Sequence, residues 1–119
     1  MSFTDAVRKA FIQNYANFQG RATRPEFWWF ILAVVIATLV AAVIDDELIG
    51  GVSIFETLVG LATIVPSLSV GARRLHDTDR SGWWQLLQLI PLIGAIVLIV
   101  WFATPGAAGP NRFGEQPAA

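Results

Sequence analysis

Three long runs without a single charged side chain dominate this sequence: Phe27 to Ile44, Thr57 to Ala72 and Trp83 to Ala103. The first has 18 residues, which as a helix rise roughly 27 Å, close to the ~30 Å hydrocarbon core of a bilayer. The second is shorter, but extends backward through Ile54 and Phe55 if Glu56 reaches an interface or a partner. The third is the longest; Gln85, Gln88, Pro91 and Gly94 make it irregular and predict a bend near Pro91. A soluble domain would carry about 25% charged residues and an amphipathic pattern on such helices. Here 55% of residues are hydrophobic and 14% charged, and no charged face runs along any of the three runs. The expected fold is an all-α integral membrane protein forming one membrane domain over residues 1–119, with transmembrane helices at 27–44, 55–72 and 83–103.

The first apolar run begins only at residue 27 and exceeds the usual length of a signal-peptide core, so the N-terminal end is expected to be retained. Ahead of it, Phe3, Val7, Phe11, Tyr15 and Phe18 recur at three- or four-residue spacing. That pattern predicts an amphipathic helix over 3–18, with Thr4 as N-cap, lying in the headgroup layer or packing on a partner protein. Residues 104–119 are rich in Pro, Gly and Ala and read as a flexible tail.

Charge alternates between the runs. Arg8, Lys9, Arg21 and Arg24 precede the first; the loop after it, DDELIGGVSIFE, holds four acids and no base; Arg73, Arg74 and Arg80 follow the second. An excess of Lys and Arg marks the cytoplasmic side, which predicts a cytoplasmic N-terminus and cytoplasmic residues 73–82 in a bacterial inner membrane. Three crossings would then leave the tail outside.

In lipid, close helix approach depends on small residues at four-residue spacing. Ala33, Ala37 and Ala41 form one such ridge and Thr63, Ser67 and Gly71 another, and in antiparallel helices they would meet in that pairing. Gln85 and Gln88 call for hydrogen bonds to another helix or to carbonyls freed by Pro66 or Pro91, or else line a polar path.

Catalytic chemistry finds little footing. There is no cysteine; a lone histidine beside arginines is a poor cation site; and Ser81, His76 and Asp77 lack the strand-turn-helix setting of a hydrolase. No enzyme activity, metal, cofactor or nucleic-acid partner is expected. The charges GRATRPE and RRLHDTDR, each near a tryptophan pair, suit the depth where phosphates meet acyl chains. Arg21, Arg24, Arg73, Arg74 and Arg80 with Trp28, Trp83 and Trp84 are the candidate rim for anionic lipid or a membrane partner, with a homo-oligomer also open. Glu26, His76, Asp77 and Asp79 are the candidate ion-pair cluster fixing the helix bases.

The segments FQGRATRPEFWWF, RRLHDTDRSGWWQLLQLIP and GPNRFG together resemble domain-of-unknown-function family 805, the YhaH-like small bacterial inner-membrane proteins. The resemblance covers residues 15 to 114 and implies a multi-span inner-membrane protein of unestablished activity. Arg21, Arg24, Glu26, Trp28, Arg73, Arg74, His76, Asp77, Ser81, Trp83, Trp84, Asn111, Arg112 and Gly114 fall on its motif positions. If the Asn111–Arg112 motif works with the other two, all three belong on one side, which three crossings forbid. The functional expectation is a non-catalytic membrane protein binding anionic lipid or a partner through its rim; the alternative is a transporter or channel subunit with a path near Gln85 and Gln88.

Overall fold

The computed structural model describes residues 2–117, and among these the structure is helical with no strand. Its elements are α1 (Phe3–Val7) running into a π-helical segment (Arg8–Gln13), α2 (Arg24–Leu48), α3 (Ile54–Asp77), a 3-10 limb (Gly82–Leu89) and α4 (Ile93–Ala103).

The start of α2 is written into its sequence. Thr23 Oγ1 accepts from Glu26 N at 3.3 Å, Pro25 occupies the first turn where a missing N–H costs nothing, and Glu26 adds negative charge at the positive helix end. At 25 residues α2 overshoots the predicted 27–44 by a turn at the end and a few residues at the start. Helix α3 overshoots 55–72 by one residue at the start and five at the end. Both are long and apolar enough to cross a bilayer.

Between them, Asp45 in the last turn of α2 is buried and caps α3 from outside it. Its two carboxylate oxygens accept from Phe55 N at 2.9 Å and Glu56 N at 3.0 Å, and its own carbonyl accepts from Gly51 N at 2.8 Å. Helix α3 ends in a Schellman turn. Arg80 N bonds to Leu75 O and Asp79 N to His76 O, both at 2.9 Å, with Asp79 in the left-handed region at φ 61°. That position normally takes glycine; aspartate is among the few side chains that tolerate it.

The third predicted crossing is not one helix. Ser81 Oγ accepts from Trp83 N and opens a 3-10 helix of eight residues, rising ~16 Å. At Leu92 (φ 62°, ψ −60°) Ile93 N bonds back to Pro91 O at 2.7 Å, a γ-turn that reverses the chain. The 11 residues of α4 then return ~16 Å. The limbs touch at Gly94, where a Cβ would lie 1.6 Å from Leu87 O, and at Trp84 and Trp101, stacked edge-on at 5.6 Å. The segment is a hairpin of two equal half-length limbs, and its end comes back to the level where it began. The expected bend near Pro91 is thus a full reversal.

Two other expectations change. The N-terminal helix stops at Gln13, five residues before the predicted 18, and its N-cap is Ser2, which accepts from Asp5 N at 3.1 Å. Its aromatic residues are only partly turned inward: Phe3 meets Trp29 and Phe11 meets Phe30, and Tyr15, just past the helix, donates to Ala62 O at 2.8 Å, while Phe3, Tyr15 and Phe18 remain exposed. Ala62 is the carbonyl that Pro66 leaves without its helical partner, so a tyrosine and not a glutamine answers the proline. The small-residue ridges do not form two continuous faces. Ala41 is buried and Ala33, Thr63 and Ser67 half-buried, while Ala37 is exposed and Gly71 has Gln85 against it, 2.3 Å from where its Cβ would stand. Larger side chains, Phe27 and Phe30 with Val70, form the core near the helix ends instead.

Candidate functional site

The start of α2, the end of α3, the 3-10 limb's start and the end of α4 all meet at one level, the base of the molecule. What gathers them is a buried set of charges. Arg74, fully buried, uses every nitrogen of its fork. Nη1 donates to Asp77 Oδ2 at 2.7 Å and to Ala22 O at 3.2 Å; Nε donates to Phe102 O at 2.9 Å; Nη2 donates to Thr104 O. The last two acceptors lie at the C-terminal end of α4, where carbonyls lack helical partners and a cation is favoured by the helix dipole. Arg24 Nη1 reaches Ala103 O from the outside at 3.4 Å.

Asp77 is shared. Its Oδ1 accepts from Arg21 Nε at 2.8 Å, and Gly106 packs so tightly on the carboxylate that a Cβ would stand 2.0 Å from Oδ2. Arg21 spends its other nitrogens on backbone: Ala107 O at 2.5 Å, Gly109 O at 2.7 Å and Gly114 O at 3.3 Å. Glu26, also fully buried, pairs with Arg73 Nη1 at 2.5 Å, and Lys9 Nζ lies 3.1 Å from its other oxygen as an ionic contact without hydrogen-bond geometry. Arg73 Nε and Nη2 have no acceptor among the described residues.

The tail, expected to be flexible, is strapped to this base through residue 116, while Ala118 and Ala119 lie outside the described residues. Asn111 Nδ2 donates to His76 O at 2.9 Å, Phe113 stacks flat on the His76 ring at 4.0 Å, and Arg112 donates to Asp79 O at 3.0 Å and Oδ1 at 3.2 Å. The Asn-Arg-Phe-Gly sequence thus clasps the Schellman corner of α3 from outside. This corrects the expectation of a tail on the opposite side from residues 73–82. The returning hairpin brings the end of α4 back to the level of the end of α3, and the three motif segments converge there.

Of the candidate rim, Arg21, Arg73 and Arg74 are buried and turned inward, so they cannot meet a headgroup. Arg24 is exposed, Arg80 half-buried with its guanidinium 4.6 Å above the Trp101 ring, and Trp28, Trp83 and Trp84 are exposed. The candidate ion-pair cluster is found in place for Glu26 and Asp77; Asp79 pairs at the surface with Arg112, and His76 is held by Gly20 and Phe113 instead. Sequence reasoning missed Lys9, Asp45, Tyr15, Gly106 and Phe113. Only Lys9 left a usable signal, as a base on a helix lacking any acid within reach other than Asp5.

Beside the base, between α3 and the 3-10 limb, lies a cleft of about 580 Å³. Phe18, Leu68, Ala72, Trp83, Leu86 and Leu89 give it apolar walls, and His76, Ser81, Gln85 and Gln88 are its polar members. Gln85 Nε2 donates to Leu68 O at 3.0 Å.

A family model described as a protein of unknown function, DUF805, matches residues 15–115. The inner membrane protein YhaH of Escherichia coli strain K12 is 46% identical over 110 residues, covering 89% of this chain and 91% of that protein. The inner membrane protein YhaI of the same strain is 47% identical over 109 residues, covering 89% and 90%. No solved structure matches the chain.

Proposed function

This chain belongs to the DUF805 family, and we propose that it is an inner-membrane protein of two crossings and one re-entrant hairpin that holds anionic lipid headgroups at its cytoplasmic base. A single observation carries the headgroup reading. All eight Lys and Arg residues lie in the segments that meet at the base. Five have a carboxylate within ion-pair distance, and Arg8, Arg24 and Arg80 have none among the described residues. Unpaired arginines beside exposed Trp28, Trp83 and Trp84 suit the phosphate level of the inner leaflet, at about 1 kcal/mol per exposed base. The four acids Asp45, Asp46, Glu47 and Glu56 at the far end suit the opposite side.

The hairpin fits the same placement. Each limb's ~16 Å reaches about the bilayer midplane. Although the side chains of the turn at residues 90–93 are exposed, its backbone bonds to itself, Ile90 N to Leu87 O, Ile93 N to Pro91 O, Gly94 N to Ile90 O and Ile96 N to Leu92 O, as backbone at membrane depth must. A transporter or channel subunit is the weaker reading, because Gln85 is consumed by Leu68 O and Gln88 opens on a cleft with mostly apolar walls. The test is headgroup selectivity. Purified from nanodiscs of equimolar phosphatidylglycerol and phosphatidylethanolamine, the wild type retains phosphatidylglycerol preferentially, and the triple variant Arg8→Gln, Arg24→Gln, Arg80→Gln loses the preference. An unchanged preference would refute the rim.

A further inference from the structure

We propose that the cleft between α3 and the 3-10 limb seats one glycerolipid molecule, its polar end at His76 and Ser81 and an acyl chain along Leu86 and Leu89. The limb's unusual helix type is what builds the site. In a 3-10 helix residues i and i+3 eclipse, so Gly82, Gln85 and Gln88 form one edge, Trp83, Leu86 and Leu89 a second, and Trp84 and Leu87 a third. The third edge is covered by α4, through Trp101 and Gly94. The second is exposed, Trp83 at 79% and Leu89 at 78%, and lines the cleft. The first lies along α3: a Cβ at Gly82 would stand 2.8 Å from that of Ala72, and Gln85 lies over Gly71. An α-helix would offset Gln85 from Gln88 by about 60° along one broad face; the 3-10 limb aligns them with Gly82 in one straight stripe.

Three groups lining the cleft keep hydrogen-bonding capacity that the protein does not meet, Gln88 at the deep end of the stripe and His76 and Ser81 beside its start. Gln88 lines the cleft with no partner among the described residues, at about 12 Å below Gly82 by 3-10 rise, a depth where water is scarce. His76 is more than nine-tenths buried, with Nδ1 2.9 Å from Gly20 O. A carbonyl only accepts, so Nδ1 carries the proton, and in the neutral ring Nε2 is left as an acceptor on the cleft side. Ser81 Oγ already accepts from Trp83 N, which frees its hydroxyl hydrogen to donate. One acceptor and one donor at the base, an amide donor deeper, and apolar walls around them match a headgroup, ester carbonyls and an acyl chain in that order.

The cleft's size favours a lipid over a second copy of the chain. A helix about 10 Å across would fill it with little more than one turn, whereas about 580 Å³ is ordinary for a small-molecule site. The inference rests on the membrane placement proposed above but not on the arginine rim, and occupancy is read separately from headgroup preference. The full chain is released from the same equimolar nanodiscs into native mass spectrometry. The wild type is expected to retain one lipid per chain. Leu68→Trp, which fills the cleft from an exposed wall position, lowers that occupancy about tenfold, a loss near 1.4 kcal/mol, and Gln88→Leu lowers it less. Retention unchanged in both variants would overturn the site, as would a dimer that carries no lipid and dissociates on Gln88→Leu. Loss of the bound lipid with phosphatidylglycerol preference intact would support the cleft alone.

Discussion

Arg73 and Arg74 are neighbours of the same type, both buried at the same level, yet they do different work. Arg73 makes one hydrogen bond, to Glu26, while Arg74 makes four that no other side chain could make together. A lysine ammonium can replace a single charged contact but not a planar fork addressed to two strands of backbone and a carboxylate. Arg73→Lys is therefore expected to cost at most about 1 kcal/mol, and Arg74→Lys about 3 kcal/mol or more, because it strands the Phe102, Thr104 and Ala22 carbonyls as well as loosening Asp77. Unfolding by denaturing detergent against a mild-detergent background measures both; equal losses would show that net charge and not fork geometry holds the base. The sequence exposes the arginines and their acids but not this division of labour. Asp77, a carboxylate three residues along the same helix, is a readable partner for Arg74, whereas the carbonyls at the end of α4 become acceptors only through the hairpin.

At the scale of elements, legibility follows how local the determining forces are. Helices α2 and α3 were readable because length and apolarity alone decide them, and their caps at Thr23 and Asp79 lie in the local sequence. The third segment is longer than either and equally free of charge, and composition predicts a third crossing. What diverts it is the combination of Pro91, which cannot continue a helix with full hydrogen bonding, and Gly94, whose bare Cα lets the returning limb touch Leu87. Neither residue alone forbids a kinked span. The C-terminal carbonyls of α4 settle against Arg74 and Arg24, an attraction available only if the limb turns back. The absence of native cysteine makes the arrangement directly testable. In spheroplasts a Glu115→Cys chain is expected to resist a membrane-impermeant maleimide until the cells are opened, while Val52→Cys reacts at once. Immediate reaction of both would mean that residues 83–103 cross the membrane after all.

Across the whole molecule, cohesion is concentrated at one end. At the base, ion pairs, the Schellman corner, the N-terminal segment and the strapped tail tie together chain segments separated by up to 93 residues. Ser69 adds a further tie, donating to Tyr15 O at 3.0 Å from within α3. At the far end the short turn around Gly50 and Gly51 joins α2 to α3, and among the described residues Asp45 is the one buried polar side chain there. A protein built this way should open from the far end inward, since local stability tracks the density of buried contacts. Hydrogen exchange is expected to be fast at Ile49–Ser53 and slow at Ala22 and residues 71–77. Asp45→Ala removes two capping bonds and costs about 1–2 kcal/mol, which should extend fast exchange into the first turn of α3 and leave the base unchanged. If the base exchanges faster as well, the two ends are coupled through the helices, and the cleft beside the base cannot be treated as a preformed site.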